Sequence, residues 1–93
     1  MKITFEPEAR EELDGIFKWI EKDSPHSAYE MIARIEAKIG RLATPALTNM
    51  GHPGLDPGTR ELIEHPYIIV YEVHEDRGEI TVLSIVHGAQ DRE

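Results

Sequence analysis

Cysteine is absent from the 93-residue chain, which excludes disulfide bonds, thiolate metal sites and cysteine nucleophiles. Long apolar runs are absent too. The run Tyr67–Tyr71 is far shorter than the roughly 20 residues that a membrane-spanning helix needs, and the segment Met1–Glu6 turns polar before a signal peptide could form. We therefore expect a cytoplasmic protein without membrane contact, stabilised by a hydrophobic core instead of covalent cross-links.

Positive charge is scarce, above all in the second half of the chain. The formal net charge is −8, from 18 acidic residues against 10 lysines and arginines. Residues 44–93 hold nine acids but only three arginines, and no lysine follows Lys38. A protein that binds phosphates usually presents a basic face, because neutralising phosphates supplies most of that binding energy. The charge distribution therefore predicts that the chain does not bind DNA directly.

Motifs for metals, nucleotides and nucleophilic serines are missing as well. Four of the five histidines lie in the second half, but no two are spaced as the i, i+4 pair of a helical zinc site. The glycines do not form a phosphate-binding loop, and the serines lack the context of a nucleophile elbow. We expect neither a metal nor a cofactor.

The first 43 residues show a short strand and then helical periodicity. Alternation predicts a strand over residues 1–5, and Pro7 suits the first turn of a helix that ends near Lys22. Ser24 followed by proline starts a second helix, which ends near Ala43. The helices carry the apolar stripes Ala9, Leu13, Ile16, Phe17, Ile20 and Ala28, Met31, Ile32, Ile35, Ile39, Leu42. The short join between them predicts an antiparallel hairpin.

The rest of the chain is a loop followed by strands. Residues 44–58 contain three prolines and three glycines, which indicates a loop that is either functional or a mobile connector. Three strands are predicted at Thr59–Glu64, Tyr67–His74 and Glu79–His87, and their short connections favour an antiparallel meander. We therefore predict one domain over residues 1–93, of the two-layer α+β class, with an N-terminal strand and an α-helical hairpin packed on an antiparallel sheet.

Both faces of the predicted sheet are apolar, which is unusual for an antiparallel sheet with one face in water. Strict alternation groups the apolar residues as Tyr67, Ile69, Tyr71 and Val73 against Ile68 and Val70, and as Ile80, Val82 and Val86 against Leu83 and Ile85. The helical hairpin can cover only one face. The second face is covered either by the loop or by a partner, and we favour a partner.

Four local segments then narrow the choice of fold. They are Gly58–Leu62 (GTREL), Tyr67–Val73 (YIIVYEV), Ile80–Leu83 (ITVL) and Val86–Asp91 (VHGAQD). Their order behind a strand and a helical hairpin resembles the RelE/ParE superfamily of bacterial toxins, and is closer to its ParE-like members. Many of those end in His-Gly-Ala-Arg, where this chain has Gln90. The resemblance covers nearly the whole chain and implies a type II toxin that a cognate antitoxin wraps through helix-in-groove and strand-addition contacts.

The superfamily has two activities: RelE-like members cut mRNA on the ribosome, and ParE-like members inhibit DNA gyrase. Cleavage of RNA needs a base, an acid and positive charge beside the phosphate. The acidic strand region supplies these poorly, and Gly88 follows His87 where some nuclease members have tyrosine. We therefore favour a gyrase inhibitor. The alternatives are a ribosome-dependent mRNA endonuclease, with Arg60 and His87 as catalytic residues, and an inactive antitoxin-binding module.

The resemblance also suggests which residues make contacts. Candidate target contacts are Arg60, His87, Gln90, Asp91 and Arg92, and candidate antitoxin contacts are Phe17, Trp19, Tyr29, Leu83 and Ile85. Structural alternatives exist for three of them. The alternative for Arg60 is a surface ion pair with Glu61 or Glu64 and no functional role. The alternative for His87 is a structural role as a cap at the sheet edge. For Trp19 we favour a place in the core.

Overall fold

Two helices and five strands make up the fold in the computed structural model of the chain, which describes residues 1–88. The helices are α1 (Pro7–Glu21) and α2 (Pro25–Arg41). The strands are β1 (Lys2–Phe5), β2 (His52–Pro53), β3 (Arg60–Glu64), β4 (Tyr67–His74) and β5 (Glu79–His87), and 3-10 turns cover Pro45–Leu47 and Glu75–Arg77. The helical hairpin packs on one face of the sheet, so the predicted two-layer α+β fold is confirmed.

The strands form one mixed sheet in the order β1-β5-β4-β3-β2. β3, β4 and β5 are the predicted antiparallel meander. β1 pairs with β5 in parallel, from Lys2 opposite Glu79 to Phe5 opposite Val82. The direction of β1 could not be predicted, because a four-residue strand alternates in the same way whichever direction its neighbour runs.

The helix ends match their sequence signals. Glu6 precedes α1 with extended backbone, and Pro7 occupies the first turn, where a missing N–H is harmless. At the start of α2, the Ser27 amide donates a hydrogen bond of 3.1 Å to the Ser24 hydroxyl, as expected of a capping serine. No helix within residues 1–88 combines the length and apolar character needed to cross a membrane.

The core lies between the two helical stripes and the facing side of the sheet. Its buried members are Ala9, Leu13, Ile16, Ile35, Ile39, Leu42, Leu62, Tyr67, Ile69, Tyr71, Ile80, Val82 and Ile85. Burial of this apolar surface is the main force that holds the helices to the sheet. The opposite side of the sheet, here called the outer face, has no helix of residues 1–88 packed over it.

An irregularity in β5 corrects one prediction. Val70 pairs with Ser84 but the next residue, Tyr71, pairs with Val82, so Leu83 is an extra residue in the strand. Such a bulge shifts the alternation of side chains by one position. Ile85 therefore lies in the core at 1% exposure, and Val86 lines the outer face, the reverse of the predicted grouping.

A carboxylate on α1 accepts a backbone hydrogen bond from β5 just after the bulge. The Ile85 amide donates a hydrogen bond of 2.8 Å to Oε1 of Glu12. β1 ends opposite Val82, so beyond that point no strand pairs with this edge of β5 within residues 1–88. The Glu12 carboxylate therefore takes the place of a strand carbonyl as acceptor for the Ile85 amide. Backbone N–H groups that are shielded from water need such a partner.

Candidate functional site

Arg60 does not present its guanidinium group as a free surface cation. Its Nη2 donates hydrogen bonds to the carbonyl oxygens of Asn49, at 3.0 Å, and of Gly51. These carbonyls belong to the loop that precedes β3. The structure therefore shows Arg60 bound to the backbone of that loop, and its contact with a target stays a prediction.

The same loop is held by buried polar groups. The Tyr71 hydroxyl, on a fully buried side chain, donates to the Thr48 carbonyl at 3.1 Å and accepts from the Gly51 amide at 3.3 Å. β2 adds a short pairing in which His52 lies opposite Glu61. These contacts connect residues 48–53 of the loop to β3 and β4.

His87 lies beside Tyr67 at the end of the sheet. The two rings meet edge to face with centroids 5.6 Å apart, and burial raises the pKa of the Tyr67 hydroxyl above its ordinary value. Glu64 lies on the other side of Tyr67 in the same cross-strand row. Two cations reach Glu64 from α2: Lys38 Nζ is 3.5 Å from its Oε1, and Arg34 Nε is 3.8 Å from its Oε2.

These two α2 cations were not among the predicted site residues, because the prediction considered positive charge only in the strand region. Arg34 and Lys38 are four residues apart and therefore share a helix face. That spacing was the available signal. Both cations share one carboxylate, so a phosphate that bound here would compete with Glu64 for them. Three further target candidates, Gln90, Asp91 and Arg92, lie outside the described residues.

Two of the three aromatic side chains of the helical hairpin are exposed. Tyr29 is 67% exposed and meets Phe17 edge to face at 5.0 Å. Trp19 is 69% exposed, with Lys22 Nζ 5.3 Å from its ring centroid, so the favoured core position for Trp19 was wrong. The stripe of α1 is narrower than expected, and Trp19 lies just outside it.

A groove of about 690 Å³ crosses the outer face of the sheet. Its apolar floor consists of Ile68, Val70, Leu83 and Val86. The start of α1 lines one side with Glu6, Glu8 and Glu12, and the loop lines the other with Leu55, Asp56 and Thr59. We call this feature the outer groove. Leu83 therefore lies in it, while its companion candidate Ile85 is buried in the core and offers no surface to a docking partner.

The loop side of the outer groove is a closed turn. The Gly54 amide donates to the Thr59 carbonyl at 2.9 Å, and the Thr59 hydroxyl donates to the Asp56 carbonyl at 2.6 Å. Gly58 has a φ of 84°, a left-handed conformation that glycine adopts without strain. Glu61, at 2% exposure, lies where the loop meets the floor, with its Oε1 3.6 Å from Nε2 of His52.

Metal-ligating side chains do not converge in the part of the chain that the structure describes. Within residues 1–88, no group of three or more histidine, aspartate or glutamate side chains could hold a metal ion. The ion pairs of His52 and His74 each involve a single carboxylate.

Comparison with known proteins identifies the family. The profile of the ParE toxin of the type II toxin-antitoxin system parDE matches residues 3–92. The chain is also 37% identical over 92 residues to a protein of Sinorhizobium fredii (strain NBRC 101917 / NGR234) named "Putative toxin Y4kP", covering 96% of this chain and 90% of the relative. This chain belongs to the ParE toxin family.

Solved structures support the family at the level of the fold. A chain of the chromosomal ParDE toxin–antitoxin system from P. aeruginosa superposes with a TM-score of 0.80 at 26% identity, covering 94% of this chain and 95% of that one. The intact E. coli RelBE toxin–antitoxin complex gives 0.67 at 14% identity, with 92% and 94% covered. RelBE2 of Mycobacterium tuberculosis gives 0.61 at 22%, with 92% and 88% covered. The two RelBE likenesses show the fold alone.

These matches confirm the resemblance on which the function was predicted. The ParE-family profile runs from β1 into the C-terminal tail, so it includes both the helical hairpin and the meander. As a ParE-family protein, the chain is the toxin component of a type II toxin–antitoxin system. The molecular target and the contacts with the antitoxin are matters for the proposal that follows.

Proposed function

We propose that this ParE-family toxin inhibits DNA gyrase in the cytoplasm and is neutralised by a cognate antitoxin. The observation that carries the proposal is the family match over residues 3–92, supported by the likeness to a ParDE toxin–antitoxin system. Gyrase inhibition follows from the ParE-like character of the sequence. It requires a surface that fits the target and no catalytic set.

The charged side chains favour this proposal over RNA cleavage. Arg60 is engaged with loop carbonyls, and the α2 cations Arg34 and Lys38 face Glu64. Stabilising the phosphate during RNA cleavage needs cations that point at the reacting group and are not engaged by carbonyl or carboxylate oxygens. We retain Arg60, beside the loop, and His87, at the end of the sheet, as proposed contacts with the target.

An antitoxin partner is supported by exposed apolar side chains in two places. On the helical hairpin these are Trp19, Tyr29 and the partly exposed Phe17; on the outer face Leu83 lies in the outer groove. Large aromatic side chains with exposed rings are typical of residues that anchor protein interfaces. A partner that covers both places would have to wrap around the domain.

The decisive test is a supercoiling and cleavage assay with purified gyrase, relaxed plasmid and the freshly separated, folded toxin. We expect loss of supercoiling and accumulation of linear DNA, reversed by prior addition of antitoxin. The same preparation is added to translating ribosomes with mRNA as the counter-assay. Unaffected gyrase together with cleaved mRNA would reject the proposal.

The mRNA endonuclease is the second candidate because His87, Tyr67 and the α2 cations come together at one end of the sheet. Its test is the ribosome assay with the His87→Gln variant, which would abolish cleavage by a true endonuclease. The third possibility, an inactive antitoxin-binding module, predicts normal growth when the chain is induced alone. Growth arrest on induction would reject that module.

A further inference from the structure

The loop between α2 and β3 carries a large share of the exposed apolar side chains. Residues 44–55 contain no aspartate, glutamate, lysine or arginine, although these residue types make up 30% of the chain. Within residues 1–88, six large apolar side chains are exposed, and three of them, Leu47, Met50 and Leu55, lie on this loop. Clustered apolar side chains on a surface, unlike isolated ones, are typical of an interaction site.

Two of these three side chains, Leu47 and Met50, lie in one series of tight turns. The Leu47 amide donates a hydrogen bond to the Thr44 carbonyl at 2.8 Å, and the Met50 amide donates to the Leu47 carbonyl at 3.1 Å. In turns of this 3-10 type, side chains three residues apart project to the same side. Leu55 lines the outer groove instead. We call Leu47 and Met50 together the apolar tip.

Thr48, between the two residues of the apolar tip, is buried and connects the loop to the interior. Its hydroxyl donates a hydrogen bond to the Leu42 carbonyl at 3.3 Å, and its own carbonyl accepts one from the buried Tyr71 hydroxyl. The loop therefore directs a polar side chain into the protein and leaves the apolar side chains of Leu47 and Met50 exposed, the reverse of the usual arrangement.

The backbone on both sides of Met50 is bonded to β3. Nη2 of Arg60 donates hydrogen bonds to the carbonyl oxygens of Asn49 and Gly51. A Cβ atom at Gly51 would collide with the Glu61 carbonyl oxygen, so glycine is what lets the loop approach β3 this closely. These contacts restrict the backbone that carries the apolar tip. A backbone ordered in advance loses little conformational freedom when a partner binds.

The surroundings of the apolar tip favour the target as its occupant. Arg60, a proposed contact with the target, bonds the two residues that flank Met50, so the two surfaces adjoin. The exposed candidate contacts with the antitoxin lie elsewhere, with Trp19 and Tyr29 on the helical hairpin and Leu83 in the outer groove. A second copy of the chain would bring another net charge of −8, which opposes self-association.

We propose that the apolar tip binds an apolar patch on the surface of DNA gyrase. Burial of the Leu47 and Met50 side chains against that patch removes apolar surface from water, and residues 44–55 bring no charge that would need a counterion. This inference rests on the proposed function, because it assumes that gyrase is the target. It adds the contact surface on the toxin and the chemistry of the surface that it meets.

The test measures how much toxin halves the supercoiling of relaxed plasmid by purified gyrase, with matched variants of the full chain. Leu47→Gln makes one tip residue polar, and we expect that concentration to rise by about threefold to tenfold. Leu47→Gln/Met50→Gln should raise it by about tenfold or more. The control Ile63→Gln changes a β3 side chain that is equally exposed, and should raise it by about twofold or less.

A second measurement on the same preparations separates the apolar tip from the antitoxin contacts. We expect Leu47→Gln/Met50→Gln to bind purified cognate antitoxin within about twofold of the original chain, because the tip lies outside the helical hairpin and the outer groove. The loss of gyrase inhibition should be the same at low and high salt, since the contact that is lost is uncharged. Circular dichroism confirms that each variant is folded.

Four outcomes would overturn the inference. Full gyrase inhibition by Leu47→Gln/Met50→Gln would reject the apolar tip and leave the proposed function intact. Equal weakening by Leu47→Gln and Ile63→Gln would show that the position of the apolar side chain is unimportant. Loss of antitoxin binding together with inhibition would assign the tip to the antitoxin. Unaffected gyrase with the folded, unsubstituted chain would reject the proposed function and this contact with it.

Discussion

Both faces of the sheet are rich in apolar side chains, but the helical hairpin buries only one of them. The helix-covered face is closed: Ile69, Tyr71, Ile80 and Val82 are completely buried beneath the two helical stripes. The outer face divides along β5. Near β1 it carries Thr4, Thr81 and Glu79, and beyond the bulge it carries the floor of the outer groove.

Alternation alone does not determine which face of the sheet a side chain lies on. Along the first half of β5 the pattern is regular, with apolar residues inward and polar residues outward. The bulge at Leu83 then moves Ile85 inward and Val86 outward. One extra residue therefore decides that Val86, and not Ile85, contributes to the apolar floor of the groove.

The largest expected effect separates the two faces directly. Ile85→Ala should lower the free energy of unfolding by about 2–4 kcal/mol, because it leaves a cavity in the core. Val86→Ala, one position along on the partly exposed outer face, should lower it by about 1 kcal/mol or less. Urea denaturation followed by circular dichroism measures both. Equal losses would mean that the bulge does not determine which of the two residues is buried.

A smaller effect concerns the loop that borders the outer groove. Tyr71→Phe removes the hydroxyl that bonds the Thr48 carbonyl and the Gly51 amide, and should lower the free energy of unfolding by about 1–2 kcal/mol. Hydrogen exchange of the Gly51 amide should accelerate more than that of the Ile69 amide in β4. Unchanged exchange at Gly51 would show that Tyr71 does not anchor the loop.

The smallest effect concerns the polar part of the outer face. Thr4 donates a hydrogen bond of 3.0 Å to Oε2 of Glu79, and this bond, with the nearby Arg77, lowers the pKa of the Glu79 carboxyl. A lowered folded-state pKa adds stability above the ordinary carboxyl pKa, which is lost as the pH falls through the folded value.

Thr4→Val should therefore raise the pKa of Glu79 towards its ordinary value and reduce the loss of stability on acidification. A pH titration of the Glu79 side-chain carbon signal by NMR measures the pKa. Arg77→Gln is the comparison variant, with a smaller expected rise, because its bond of 3.4 Å is the longer one. An unchanged titration in Thr4→Val would show that the hydroxyl does not stabilise the charged carboxylate.

Much of the fold could be predicted because its signals are local. The Ser24 cap, the helical stripes and the three strands of the meander each depend on residues within one element, and all are present in the structure. The family resemblance came from the same local segments in their order. The candidate contacts were harder to predict, because exposure depends on what packs nearby: Trp19 is exposed and Ile85 is buried.

The sequence by itself determined the elements, their order and the scarcity of positive charge, because periodicity, capping and composition are properties of neighbouring residues. Only the tertiary structure decided that Arg60 binds loop carbonyls, that Arg34 and Lys38 of α2 face Glu64, and that acidic residues of α1 and the loop border one groove. These relations join residues far apart in the chain. They depend on strand register, on a one-residue bulge and on how the hairpin crosses the sheet, which no local pattern encodes.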